Sequence, residues 1–256
     1  MKVLQTIGGF GAKGGGTSTC TYDLLISMHQ SVSGADVDLL TPSVTDPSDR
    51  IMSNGEQWIK VVDNDYRTPL SISKNMVDFL QQSNYDVYHT NGMWMHINHI
   101  TCSVARSKNK PYVITPHGML YPEALARSAW KKWPLRKLWF DRDIREAGCI
   151  HATCQDEMKH LRTLGYKGPI ALIGNPVCVP LCTSEFIGYR NHKPDGLIKL
   201  GFLGRLHPRK HVEKILQGVA LIQDKNIEIY IMGKGDDSYE EFLHNEVLRL
   251  GLGDRV

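Results

Sequence analysis

Short apolar runs recur through this chain, each stopping at a glycine, proline or polar turn and most followed by residues with helical apolar spacing. Lys2–Ile7, Val37–Thr41, Trp58–Val62, Val87–Thr90, Tyr112–Thr115, Ile150–Ala152 and Ile170–Ile173 read as strands. Helical patterns lie between most of them, for example Asp156–Leu164, closed by Gly165. Strand and helix in alternation predict an α/β fold with largely parallel sheets, because parallel neighbours need a crossover and a helix supplies it. Over 179–195 the pattern lapses into a polar stretch with Pro180, Gly188 and Pro194, which reads as a linker. A second series follows. It has strands at Leu197–Leu203 and Ile227–Met232, a helix with Val212, Ile215, Leu216, Val219 and Ile222 on one face, and a helix opened by the capping box Ser238-x-x-Glu241. Asp254-Arg255-Val256 reads as the start of a further strand. The predicted organisation is a Rossmann-like domain over 1–180, a linker over 181–196 and a partial Rossmann-like domain over 197–256. Two strands and two helices do not close a doubly wound domain, so the expectation is a chain cut within its second domain.

Composition narrows the function classes. A length of 256 residues suits one large or two ordinary domains, and a formal net charge of +3 is too small to argue for nucleic acid. The apolar runs are too short to span a bilayer. The sequence from Met1 to Ile7 runs straight into glycines, without the apolar core and cleavage site of a signal peptide. None of the six cysteines forms a Cys-x-x-Cys pair, so free thiols in a reducing cytoplasm are expected.

Gly201-Phe202-Leu203-Gly204-Arg205-Leu206-His207-Pro208-Arg209-Lys210 is the most chemically informative stretch. Its apolar first half reads as a strand buried on both faces, and Pro208 suits the first turn of the helix that follows. Arg205 is thereby expected at the carboxyl end of a strand and Lys210 in the first turn of a helix, where two cations beside a positive helix end suit a diphosphate or phosphosugar. A loop with two solvated charges gives the same pattern.

Three other stretches bear on function. The loop from Gly8 to Gly16 spells G-x-G-x-x-G at Gly9, Gly11 and Gly14, but the second strand ends Thr41-Pro42 where a dinucleotide site wants an acid. Lys13 is followed by Gly14, which excludes a P-loop. What remains is backbone at Gly15 and Gly16 open to close approach, with Thr17 or Ser18 as the helix cap. His117 follows the strand Tyr112–Thr115, where a polar ring can face a ligand or serve structure alone. The preceding strand ends in the polar sequence His89-Thr90-Asn91-Gly92-Met93-Trp94. His89, His96 and His99 lack an acid nearby in sequence, so a metal is not expected. Finally, Trp130–Arg142 interleaves three tryptophans with cations around Pro134, which is expected to separate two helical pieces. Such a stretch suits an anionic membrane surface, or equally a helix whose tryptophans pack on the sheet while its cations are solvated.

Together these pieces resemble the GT-B glycosyltransferases of family 4. Gly204-Arg205-Leu206-His207-Pro208-Arg209-Lys210 looks like that family's Gly-Arg-…-Pro-x-Lys signature, and Gly14-Gly15-Gly16 resembles its amino-terminal glycine turn. Thr115-Pro116-His117-Gly118-Met119-Leu120, His151-Ala152-Thr153 and Gly174-Asn175-Pro176-Val177 are similar to its bacterial surface-polysaccharide branch. The resemblance implies two Rossmann-like domains facing a cleft, retention of anomeric configuration and no metal cofactor. It implies a nucleotide-sugar donor and a glycan or lipid-linked acceptor. Arg205, Lys210, Gly15 and Gly16 match donor-diphosphate positions, His117 matches a residue facing the donor sugar, and Asn91 and Trp94 fall on the acceptor side. His211 departs from the family's usual glycine, Asn175-Pro176 from its Pro-Asn-Gly, and the family's E-x7-E carboxylates are not in the sequence. The expectation is therefore a cytoplasmic transferase inactive in this form, with contact to the inner face of the membrane as one of the two readings of Trp130–Arg142. A non-enzymatic remnant holding a glycan or lipid carrier is the alternative, and a Rossmann oxidoreductase is disfavoured by Thr41-Pro42.

Overall fold

The computed structural model describes residues 1–12, 14–31, 34–64, 70–177, 196–223 and 226–256. The chain divides into two compact units, Met1–Cys178 and Val179–Val256. Residues 181–195 of the expected linker lie outside the described residues.

The first unit is built on a seven-stranded sheet of β1 (Lys2–Ile7), β2 (Asp36–Pro42), β3 (Ile59–Val62), β4 (Val87–Asn91), β5 (Tyr112–Thr115), β6 (Cys149–Ala152) and β7 (Ile170–Leu172). All pairings are parallel, in the order β3-β2-β1-β4-β5-β6-β7. Its helices are α1 (Gly16–Gln30), α2 (Lys74–Gln82), α3 (His96–Ser107), α4 (Pro122–Ala126), α5 (Ala129–Leu135), α6 (Asp141–Arg145) and α7 (Gln155–Thr163). β1 shows how the sheet is covered on both faces. Val3 and Ile7 join a core with Phe10, Leu25 and Leu39, whereas Leu4 joins a larger one with Leu40, Tyr88, Ile97 and Ile150. The strand order reverses between β1 and β4, the place in such a sheet where a crevice opens at the carboxyl ends.

Pro134 does not separate two helical pieces. It lies inside α5, a five-residue π-helix over Arg136–Phe140 follows directly, and α6 continues from it. The proline has no N–H for the helical ladder, and the wider π turn takes up the mismatch. Of the three tryptophans here, Trp139 stacks on His99 of α3 at 4.7 Å, while Trp130 and Trp133 are 76% and 66% exposed. The reading in which all three pack on the sheet is thereby corrected.

The second unit pairs β8 (Ile198–Leu203) with β9 (Ile227–Met232) in parallel and packs α8 (Val212–Ala220) and α9 (Asp237–Arg249) around Leu206, Leu216, Ile229 and Leu243. Here β8 is not buried on both faces: Leu200 is 42% and Leu203 82% exposed. A single core cluster serves this two-stranded sheet, so an apolar run that reads as central is half uncovered. Asp254-Arg255-Val256 forms a turn rather than a strand, although the Arg255 carbonyl accepts from the Ile229 N–H at 2.7 Å. Nor does Ser238 open α9. Asp236 is its N-cap, and Glu240 accepts from the Gly235 N–H at 2.6 Å, which satisfies a donor just ahead of the helix.

Candidate active site

In the first unit a cleft of about 420 Å³ opens at the carboxyl ends of β1, β2 and β4. Gly8, Gly14, Ser18, Pro42, Asn91 and Met119 are among its lining residues. The glycine loop enters α1 through Gly15, the N-cap, at φ 75° and ψ −158°. Only glycine adopts that conformation freely. Neither Thr17 nor Ser18 caps the helix; Ser18 donates instead to the Gly9 carbonyl at 3.3 Å, fastening the loop to the strand end. A Cβ on Gly15 or Gly16 would meet nothing within 4 Å, so both present bare, exposed backbone at a helix start. N–H groups there are unsatisfied by the helix itself and suit an anion.

Asn91 ends β4 and is buried, its amide fixed by neighbours on two elements. Nδ2 donates to Gln5 Oε1 at 2.9 Å, which turns Oδ1 toward His117 Nε2 at 3.3 Å. His117 Nε2 therefore carries the proton and Nδ1 the lone pair. Asn98 Nδ2 donates to the Asn91 carbonyl at 3.0 Å and to Thr90 Oγ1 at 2.8 Å. His117 has φ 51°, followed by Gly118 at φ 72°. A non-glycine residue in the left-handed region stores about 1–3 kcal/mol of strain, which surrounding bonds must hold. Burial pushes the His117 imidazole down to about 4, so it is neutral at pH 7. Beside it, His89 Nε2 donates to Thr115 Oγ1 at 2.6 Å, and Thr115 donates to His151 Nδ1 at 3.0 Å. His151 Nε2 donates to the Ile173 carbonyl at 2.8 Å, which sets these directions.

The second unit carries the two cations. Gly204 N–H donates to the Met232 carbonyl at 3.0 Å and Leu206 N–H to the Lys234 carbonyl at 2.9 Å. These bonds pin the stretch with exposed Arg205 directly after β8. Lys210 does not sit in the first turn of a helix. Pro208–Lys210 make one 3-10 turn, His211 at φ 51° breaks it, and α8 starts at Val212. The left-handed residue is the physical reason: two right-handed turns cannot run on through it. Lys210 is exposed at the end of this turn, and the His211 ring is held by Glu213 at 3.0 Å.

The family model for Glycosyltransferase Family 4 matches residues 14–179. The chain belongs to this family. No curated protein matches it in sequence. Among solved structures, Anabaena HepE in complex with UDP and glucose is similar at 18% identity and a TM-score of 0.65, covering 100% of this chain and 68% of its own. Sucrose-phosphate synthase from Thermosynechococcus elongatus follows at 19% identity and a TM-score of 0.63, covering 100% and 69%. A glycosyltransferase from Rickettsia africae gives 13% and 0.61, covering 99% and 66%. These likenesses show a GT-B fold of the α/β class expected from the alternating pattern, and the family match makes the chain a glycosyltransferase.

Within the glycosyltransferase, the first unit brings Asn91, His117 and the glycine loop to one sheet edge. His117, Gly15, Gly16 and Trp94 are not among the lining residues of the cleft. At φ 75°, Trp94 packs edge-on against Phe140 at 5.4 Å, under Lys132 at 5.5 Å. Among the described residues no three His, Cys, Asp or Glu side chains are grouped to hold a metal ion. His99, which lacks an acid nearby in sequence, meets Asp143 at 2.8 Å across the fold. Sequence reasoning missed Gln5 and Asn98, which orient Asn91, and Gly233 and Gly235. A Cβ on Gly233 would run into the Gly204 carbonyl oxygen, and one on Gly235 into that of Leu206. The Gly-x-Gly after β9 was the available signal for the second pair.

Proposed function

We propose that this chain belongs to a retaining transferase that moves a sugar from a nucleotide-sugar donor to a glycan or lipid-linked acceptor in surface-polysaccharide synthesis. The observation that carries the reading is Arg205, fixed at the end of β8, with Lys210 in the turn that follows. In the proposed reaction the bond from the anomeric carbon to the diphosphate oxygen breaks. The acceptor hydroxyl bonds to the same face of that carbon, and its proton leaves with the nucleoside diphosphate. Arg205 and Lys210 stabilise charge on the departing diphosphate, work that a metal ion does elsewhere. Within the first unit, the bare N–H groups at Gly15 and Gly16 are proposed as a separate contact for an anionic group of the donor. His117, neutral and oriented by Asn91, hydrogen-bonds the donor sugar.

HepE, crystallised with UDP and with UDP-glucose, suggests a uridine diphosphate sugar as the donor to try first. Asn91 lines the cleft and is the acceptor-side residue this reading retains. Exposed Trp130, Trp133 and Leu138, with Lys131 and Lys137 beside them, support peripheral contact with an anionic membrane. Among the described residues no helix is long and apolar enough to cross one. The proposed location is the cytoplasmic face. The 256 residues alone are proposed to turn over poorly, because the half-uncovered β8 strand leaves the second unit less stable than the first. Incubation with UDP-glucose and a panel of lipid-linked and free glycans tests the reading. Transfer with the α configuration retained supports it, and transfer with inversion, by any chain length, contradicts it.

A further inference from the structure

Glu157 lies in the first turn of α7 and is 2% exposed. Among the described residues no cation pairs with it. Its carboxylate instead accepts three hydrogen bonds: from the Gly118 N–H at 2.6 Å, the Thr153 N–H at 2.7 Å and the Thr153 hydroxyl at 2.8 Å. Those donors belong to two different turns, one after β5 and one after β6. A buried carboxylate without a cation is costly, so three short charge-assisted bonds mark a site where the anion itself is required. A glutamine in its place can accept on one oxygen only, and its NH2 would face a backbone N–H. The turn so held is the strained one, with His117 at φ 51° and Gly118 at φ 72°.

We infer that Glu157 is the positioning residue for His117: its carboxylate locks the left-handed turn that carries the imidazole and ties it to the turn after β6. The inference rests on the reading of His117 as the donor-sugar residue. The consequence is geometric first. With Gly118 N–H held, His117 keeps its backbone conformation, and its Nε2–H stays on Asn91 Oδ1, leaving Nδ1 as the acceptor. The negative charge also acts on the ring, opposing the fall that burial causes in its proton affinity.

The test uses the 256-residue chain and the variant Glu157→Gln, observed by nitrogen-detected NMR of the histidine rings at pH 7. Wild type is expected to show His117 as a single Nε2–H tautomer and a Gly118 amide that exchanges as slowly as those of β5. In E157Q the His117 signal is expected to become a mixture of tautomers, and Gly118 exchange to accelerate at least about tenfold. A folded E157Q with the same single tautomer and the same slow Gly118 amide overturns the inference. Should E157Q not fold, wild type decides alone: a Gly118 amide exchanging like an exposed turn overturns it. In whichever chain length turns over donor, E157Q is expected to lower kcat about tenfold with little change in KM, as lost orientation does. Full turnover by His117→Ala would instead overturn the role of His117, while the NMR result would still report on the lock.

Discussion

Gly15→Ala and Gly16→Ala, two neighbouring substitutions of one methyl group each, separate the loop's backbone conformation from its contact with ligand. Neither added Cβ meets an atom within 4 Å, so sterics inside the protein do not distinguish them. Backbone conformation does. Gly15 sits at φ 75° and ψ −158°, a region open essentially to glycine, where alanine costs about 1–3 kcal/mol. Gly16 is the first residue of α1 and has no positive φ. Alanine there gains up to about 1 kcal/mol of helix propensity and unfolded-state entropy. Urea unfolding followed by circular dichroism should therefore place G15A below wild type and G16A level with it or above. If the loop contacts the donor diphosphate, G16A should also weaken UDP binding by calorimetry although it folds as well as wild type, because its methyl stands where the ligand approaches. A stable G15A would refute the loop conformation. A G16A protein with unchanged UDP affinity would refute the contact.

The site predicts more. His117→Ala should lower kcat more than it changes UDP affinity, and restoration of a chelator-treated enzyme by added metal would contradict the role given to His117. Burial holds His117 at about 4 and His89 at about 3, against 6.5 for the free ring. Between those values and 6.5 the unfolded chain binds protons that the folded chain does not, so stability falls as pH falls, by up to about 1.4 kcal/mol per pH unit for each ring. Urea midpoints at pH 7, 6 and 5 should show the decline, and a flat profile would refute it. Trp130→Ala with Trp133→Ala should abolish cosedimentation with phosphatidylglycerol vesicles while changing stability by no more than about 0.5 kcal/mol per site, as exposed positions do. Vesicle binding equal to wild type would contradict the membrane face.

Several elements were legible because their signals are local. β1, β5 and β9 cover the residues expected of them, since largely apolar runs that stop at a glycine or proline carry their own limits. The α7 terminus also matched: Gly165 at φ 92° ends it, with Tyr166 N–H returning to the Leu161 carbonyl. The misses involve choices a window of sequence does not contain. An apolar run such as β8 says nothing of how many layers cover it. A left-handed residue such as His211 shifts a helix start by one turn without a compositional mark. At the site, strand-end residues such as Asn91, His117 and Arg205 could be singled out by position. Gln5, Asn98 and Glu157 could not, because each acts on them from another element through bonds that only the folded chain brings together.

UDP titration followed by backbone amide NMR tests the central claim most directly, comparing wild type with Arg205→Ala and Lys210→Ala. The account predicts shifts over Gly204–Lys210. It also predicts that each variant loses about 1.5–3 kcal/mol of affinity, the worth of a charge-assisted hydrogen bond. Shifts confined to other residues, or affinity unchanged in both variants, would contradict it.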